Sequence, residues 1–268
     1  RAGAVVALDP RNGRVLAMAS SPTFEPAAFD AARTDPGSPL LNRPTQGRYP
    51  PGSTFKVVTA VAAIDSGKYT SASVVDGSGP QTFSGVPLNN DDGVSYGPIN
   101  LTTALTNSVN TVWARVAESV GRPTIEKYMR RFGFDRLPEL DYPTDQMVAS
   151  GAVIGGAVVS PTDSRIDLPR LGIGQDKLLV TPLQMAEVAS AVANDGVLMA
   201  PRIGRSIVDP DGRLVRDVPS EFQSRVMSRA TANEVTRMMQ DVVAEGTGTA
   251  AALNGIEVAG KTGTAQRD

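Results

Sequence analysis

The chain has 268 residues, 41% hydrophobic and 20% charged, enough to bury a core in one large domain or two closely packed ones. It contains no histidine and no cysteine, which excludes a Ser-His-Asp triad, a thiolate nucleophile and a His- or Cys-ligated zinc. A formal net charge of −2 gives no basic footprint for nucleic acid and no polybasic membrane patch.

Residues 4–8 and 15–19 read as short strands, and Asp9-Pro10-Arg11-Asn12-Gly13 between them is strong hairpin chemistry. A Pro/Ser/Arg-rich connection over 22–52 ends in Pro50-Pro51-Gly52, which disfavours helix up to that point and so fixes where the next one starts. From Ser53 to about Ser66 the sequence reads as a helix, with Gly67 just past its end. Val57, Val58, Ala60, Val61, Ala62, Ala63 and Ile64 make it apolar nearly all round, the pattern of a central buried helix. Lys56 falls in its first turn, near the positive end of the helix dipole, and is poorly placed there unless paired or partly deprotonated. Lysine occurs only at 56, 68, 127, 177 and 261. Arginine, which does not give up its proton, makes up the rest of the 26 basic residues.

A turn-rich stretch over 70–98 leads to helical segments near 101–106, 110–120 and 123–132. Residues 138–176 read as mostly loop, and the apolar, glycine-rich run 148–159 within them reads as a buried turn, too short to span a bilayer. Thr181-Pro182 is an N-cap and N1 pair that starts a helix to about Asp195, stopped by Gly196. A second hairpin is expected over 203–208 and 213–218 around Asp209-Pro210-Asp211-Gly212. A helix near 229–245, a Gly/Thr loop and a strand at 257–265 complete the chain. No signal peptide is visible, and a start at Arg1 almost directly in a strand pattern suggests a domain excised from a longer protein. The absence of cysteine permits an oxidising compartment without demonstrating one.

Three motifs carry chemistry. Ser53 and Lys56, three apart on a helix, share a face, so a neutral Lys56 amine can take the Ser53 hydroxyl proton as the serine attacks a carbonyl. The Ser53 N–H at the helix start is available as an oxyanion donor, and the apolar helix desolvates the lysine towards neutrality. Alone this pattern is weak, since Ser-x-x-Lys arises by chance roughly one time in three at this composition. Its bland reading is a helix-terminal serine beside a solvated lysine. Ser108-Val109-Asn110 opens the helix that runs through Trp113, and its ordinary meaning is helix capping. Lys261-Thr262-Gly263-Thr264 lies on the strand expected at 257–265. Alternation places the Thr262 and Thr264 hydroxyls on one face, suited to a substrate carboxylate, and Gly263 leaves room for an extended peptide to pair with the edge. Its bland reading is a Thr-rich surface strand.

Together and in this order, Ser53-x-x-Lys56, Ser108-x-Asn110 and Lys261-Thr262-Gly263 resemble the motifs of the penicillin-binding proteins and serine β-lactamases. Gly3-Ala-Val-Val-Ala-Leu-Asp-Pro, Tyr49-Pro-Pro-Gly-Ser-Thr-Phe-Lys and Gly172-Ile-Gly-Gln with Thr181-Pro-Leu-Gln-Met-Ala narrow the likeness to the class B penicillin-binding transpeptidases, over nearly the whole chain.

The resemblance implies an α+β fold of the β-lactamase/transpeptidase type. An antiparallel sheet flanked by helices (1–22 and 200–268) would be joined to a mostly helical part (23–199), with the active site between them. It implies attack by Ser53 on the penultimate D-Ala carbonyl of a peptidoglycan stem peptide, release of the terminal D-Ala, and transfer of the acyl group to a neighbouring stem's amine. β-Lactams would acylate the same serine. Lys56 would be the base, Ser108 would pass the proton to the leaving amine, and Asn110 would orient Lys56 and bind the substrate amide. Lys261 would supply positive field, Thr262 and Thr264 would hold the donor carboxylate, and the N–H groups of Ser53 and Thr264 would form the oxyanion hole. No metal or organic cofactor is implied. Partners would be glycan-synthase and divisome proteins, with no nucleic acid, at the extracytoplasmic face of the bacterial cell membrane. The family's membrane anchor and pedestal, and the two strands and terminal helix that follow its third motif, are expected in the full protein outside this chain.

A serine β-lactamase is a rival of the same fold, but the Glu-x-x-Leu-Asn of class A is missing and Asn110 differs from the Ser-x-Val of the carbamylated-lysine class. A penicillin sensor or a non-catalytic septal scaffold is a rival of another kind; intact motifs argue against the scaffold only. Gly246-Thr247-Gly248-Thr249 lacks a Walker lysine and follows a helix, so it reads as a turn and not as a phosphate loop.

Overall fold

Asp9 closes the first hairpin. Its carboxylate accepts from the Arg11 backbone N–H at 3.1 Å and from Asn12 Nδ2 at 3.0 Å, holding the turn between strands Gly3–Leu8 and Val15–Ser21. The computed structural model describes residues 2–264, and in it these two strands pair antiparallel from Gly3–Ser21 to Leu8–Val15. The other named strand pairs are antiparallel too, in short two- and three-stranded pieces. The fold is α+β, as expected. Helix Pro182–Ala193 packs against both strand Gly3–Leu8 and helix Arg229–Ala244. Thr181 caps it as its sequence requires, the hydroxyl accepting from Gln184 N–H at 3.1 Å.

Helix Lys56–Asp65 is the axis of the core, with every residue from Lys56 to Ile64 buried. It packs against helices Asn110–Val120, Arg122–Arg131 and Arg229–Ala244. Trp113, fully buried, satisfies its indole N–H on the Ala104 carbonyl at 3.1 Å, so its apolar area is gained without an orphaned donor. Asp65 ties three elements together. It accepts from Tyr128 Oη–H at 2.8 Å, Ser228 N–H at 2.8 Å and Thr231 Oγ1–H at 2.9 Å.

The elements differ from the sequence reading in several places. The helix at Ser53 begins as a 3-10 turn, Gly52–Phe55, and becomes α-helical only at Lys56, because the chain arrives through Pro50-Pro51 and a Gly52 held at φ 53°. The stretch 70–98 contains short strands, and the pair Gln81–Phe83 and Val86–Leu88 turns at Ser84-Gly85, both at positive φ. Within 138–176, strands Gly151–Ile154 and Ala157–Val159 turn at Gly155-Gly156 (φ 58° and 84°), so the run 148–159 is a hairpin with an exposed tip and not a buried turn. Residues 257–264 form no strand ladder among the described residues, and Ala265 at the end of that expected strand lies outside them. A strand is defined by a hydrogen-bonded neighbour, which alternation alone does not supply.

Candidate active site

The Ser53 turn is clamped by backbone. Tyr49 and Val180 exchange N–H···O bonds at 2.8 and 2.9 Å, and the Gly52 N–H donates to the Gly174 carbonyl at 2.9 Å. Gly174 is at φ 80°, and a Cβ there would collide with the Gly52 carbonyl, so the Gly172–Gln175 segment seats directly on the turn. One helical turn on, Thr59 Oγ1 donates to the Gly172 carbonyl at 2.7 Å. This placement leaves Ser53 7% exposed and Lys56 fully buried.

Lys56 Nζ reaches the Ser108 carbonyl at 2.6 Å, Ser108 Oγ at 3.1 Å and Asn110 Oδ1 at 2.6 Å. No hydrogen bond joins it to Ser53 Oγ among the described residues; the expected serine–lysine contact is replaced by a contact with the second motif. Burial, reinforced by the nearby Lys261 charge and opposed by Asp91, pushes the Lys56 amine well below the ordinary lysine value. A neutral amine has two N–H donors and one lone pair. It keeps all three contacts only when the Ser108 hydroxyl donates to it.

Ser108 is not a cap. The N-cap of helix Asn110–Val120 is Val109, with no side-chain bond, and Ser108 sits at φ 57°, a left-handed conformation unusual for serine. That backbone turns Oγ towards both lysines, since Lys261 Nζ donates to it at 2.9 Å. Burial lowers Lys261 to about 8, with Asp91 acting the other way, so it is largely charged near neutrality.

The third motif departs from its expected geometry. Thr262 Oγ1 is 2.6 Å from Thr247 Oγ1 and also accepts from Lys261 Nζ at 3.3 Å, so its hydroxyl is already engaged. At Gly263 the space a side chain would take is filled by the Ser53 turn. A Cβ there would meet Thr54 Cγ2 at 2.8 Å and the Pro51 carbonyl at 3.1 Å, because the segment crosses the Ser53 turn at close range. Thr264 lines the same cavity as Ser53 and Asn110, a cleft of ≈ 640 Å³.

The structure thus brings Ser53, Lys56, Ser108, Asn110, Lys261, Thr262, Gly263 and Thr264 into one region and adds residues the sequence reading missed. Asn90, buried, accepts from Thr111 N–H and Oγ1–H at 3.0 Å each and donates to the Gly77 and Val94 carbonyls at 2.9 Å each. It thereby pins the 89–91 segment beside Asn110, and Asp91 joins the cleft wall. Arg170, paired with Asp167 at 2.8 Å, reaches the carbonyls of Phe83, Val86 and Pro87 and tethers the hairpin over the cleft. Thr247 braces Thr262 from the Gly/Thr turn. None of these has a sequence signature.

Comparison with known proteins identifies the family. The penicillin binding protein transpeptidase domain matches residues 3–268, and the chain belongs to that family. Among relatives, it is 35% identical to the peptidoglycan D,D-transpeptidase PbpA of Mycolicibacterium smegmatis over 286 residues, covering 98% of this chain and 55% of that protein. It is 31% identical to the stage V sporulation protein D of Bacillus subtilis, covering 98% of this chain and 39% of that one. Among solved structures, the ceftriaxone acyl-enzyme complex of penicillin-binding protein A from Mycobacterium tuberculosis superposes with a TM-score of 0.88 at 30% identity, covering 99% of this chain and 61% of that one. The D,D-transpeptidase domain of a peptidoglycan glycosyltransferase from Eggerthella lenta gives 0.87 at 32% identity, with 100% and 67% covered. The chain spans about half the length of the PbpA relatives it matches.

Proposed function

We propose that this chain is the acyl-transfer domain of a peptidoglycan D,D-transpeptidase, acting on stem peptides that end in D-Ala-D-Ala and acylated by β-lactams on the same serine. The observation that carries the reading is Ser108 Oγ in contact with both Lys56 Nζ and Lys261 Nζ, beside a cleft lined by Ser53 and Thr264. The relatives named D,D-transpeptidases and the acyl-enzyme complexes of similar structures support it.

Ser53 Oγ attacks the penultimate D-Ala carbonyl carbon, and its proton passes to neutral Lys56 Nζ. Contact between the two tightens when substrate is bound, as resting active sites often hold such pairs apart. The oxyanion is received by the N–H groups of Ser53 and Thr264. As the intermediate collapses, the C–N bond breaks and the departing D-Ala amine takes a proton through Ser108, which Lys56⁺ replenishes. An acceptor amine then attacks the ester carbonyl, gives a proton back through Lys56, and Ser53 leaves as its hydroxyl. Lys261 supplies the positive field, Thr264 receives the donor carboxylate, and Thr262 joins it when its hydroxyl turns from Thr247 to the substrate. The same reading divides the domain into 1–22 with 200–268 and the more helical 23–199. It places the protein at the extracytoplasmic face of the membrane with glycan-synthase and divisome partners. No helix of the described residues is long and apolar enough to cross a membrane.

Labelling with a fluorescent penicillin followed by peptide mapping tests this. Label on the peptide holding Ser53, lost in Ser53→Ala, is expected; label elsewhere, or label kept in the variant, overturns it. Release of D-Ala from a pentapeptide with transfer to an added amine separates a transpeptidase from a penicillin sensor, and rapid turnover of bound penicillin marks a β-lactamase.

A further inference from the structure

Among the described residues lining the cleft Asp91 is the only carboxylate, and its side chain is exposed on the cleft wall. Its Oδ1 accepts from Asn110 Nδ2 at 3.2 Å, and the Asn89 carbonyl accepts from the same nitrogen at 3.1 Å. Both partners are acceptors only, so they hold the amide nitrogen to their side and turn Oδ1 towards Lys56 Nζ, 2.6 Å away. The segment itself is anchored by buried Asn90 on Thr111, one residue beyond Asn110, so the carboxylate is placed by a built contact and not by a free loop.

We propose that Asp91 is a positioning residue for acyl transfer: its carboxylate fixes the Asn110 amide and is the counter-charge to the Lys56–Lys261 pair. The role rests on the reading of Ser53 as the nucleophile. It also accounts for how two lysines share one hydroxyl. The charge of Lys261 drives Lys56 towards neutrality, and Asp91 opposes that drive on both amines. Arg170, the other charged residue lining the cleft, is paired with Asp167 and tied to backbone carbonyls. Asp91 has a further effect on chemistry, because a fixed Asn110 Oδ1 keeps the Lys56 amine aimed into the site.

The test is the pH profile of Ser53 acylation by a fluorescent penicillin in the wild type, Asp91→Asn and Asp91→Ala, with thermal melting as a folding control. The acidic limb reports Lys56 losing its proton, and the alkaline limb reports Lys261 losing its own. Removing the negative charge lowers both, so Asp91→Asn is expected to slide the whole bell to lower pH by on the order of half a unit. High salt is expected to shrink the gap between the two proteins. Asp91→Ala, which also frees the amide, is expected to lower the maximal rate several-fold beyond Asp91→Asn. A bell for Asp91→Asn that superimposes on the wild type overturns the proposal. Wild-type protein that penicillin does not label at Ser53 is a different result: it removes the transpeptidase reading and the role of Asp91 with it.

Discussion

Lys261 Nζ donates to Ser108 Oγ across 2.9 Å, joining side chains 153 positions apart in the chain. The same oxygen lies 3.1 Å from Lys56 Nζ, so one hydroxyl connects an amine that burial and its neighbour drive towards neutrality with one that stays largely charged. A proton received at Lys56 therefore has a short route to a group leaving near Ser108. The arrangement is bought with backbone strain, since Ser108 is held at φ 57° to present Oγ between the lysines.

That strain separates stability from activity. Ser108→Ala is expected to slow acylation roughly 100-fold, the scale of a lost general acid–base partner. Ser108→Gly removes the same hydroxyl and relaxes the left-handed conformation, so it is expected to be about 1 kcal/mol more stable than Ser108→Ala while acylating no faster. Urea unfolding and penicillin labelling of both variants check this; equal stability would show that the backbone carries no strain at 108.

The charge on Lys261 lowers Lys56, which fixes the direction of a second result. In Lys261→Met the Lys56 amine regains its proton more readily, so the acidic limb of the acylation profile moves to higher pH, by on the order of one unit. Lys261→Arg keeps the charge and is expected to leave that limb near its wild-type position. A limb that stays in place in Lys261→Met would falsify the electrostatic link between the two amines.

Gly263 is required by contact and not by flexibility. An added Cβ meets Thr54 Cγ2 at 2.8 Å, so Gly263→Ala is expected to push the third motif off the Ser53 turn and reduce labelling at least tenfold. Thr54→Ser deletes Cγ2 while keeping a hydroxyl to donate to the Pro51 carbonyl, the bond Thr54 makes at 2.7 Å. The double variant is therefore expected to recover part of the rate. Labelling of the three proteins decides it, and no recovery would put the obstruction at Pro51 instead.

Much of this was legible in the sequence, for identifiable reasons. A helix apolar nearly all round, 57–64, had to be central, and the order of three short motifs pointed to acyl transfer by serine and lysine. What stayed hidden acts between segments far apart in the chain. Asn90 reaches Thr111 across 21 positions and Thr247 reaches Thr262 across 15, contacts that no local pattern encodes. Ser108 was masked by a local meaning of the same residues, since Ser-x-Asn before a helix is also a cap, and only φ distinguishes the two. Gly155-Gly156 did carry a hairpin signal, but the unbroken apolar run around it concealed the alternation.

Away from the cleft, Glu187 is 2% exposed on helix Pro182–Ala193, and its Oε1 has no hydrogen-bond partner among the described residues. Burial is the main cause that raises its carboxyl to about 8; Arg136 acts in the opposite sense and Glu139 adds to the rise. The folded state thus holds this proton more tightly than the unfolded chain, whose glutamate titrates near the ordinary value of 4.5. The stabilisation is complete below about pH 4.5 and is lost as pH rises through about 8, above which a buried charge or its neutralisation costs a few kcal/mol. Glu187→Gln, neutral at every pH, removes that dependence. It is expected to melt above the wild type at about pH 8.5, with the gap closing towards about pH 4, each about half a unit beyond a limit of the titration window. Parallel melting curves across that range would show that Glu187 ionises in the fold as readily as in water.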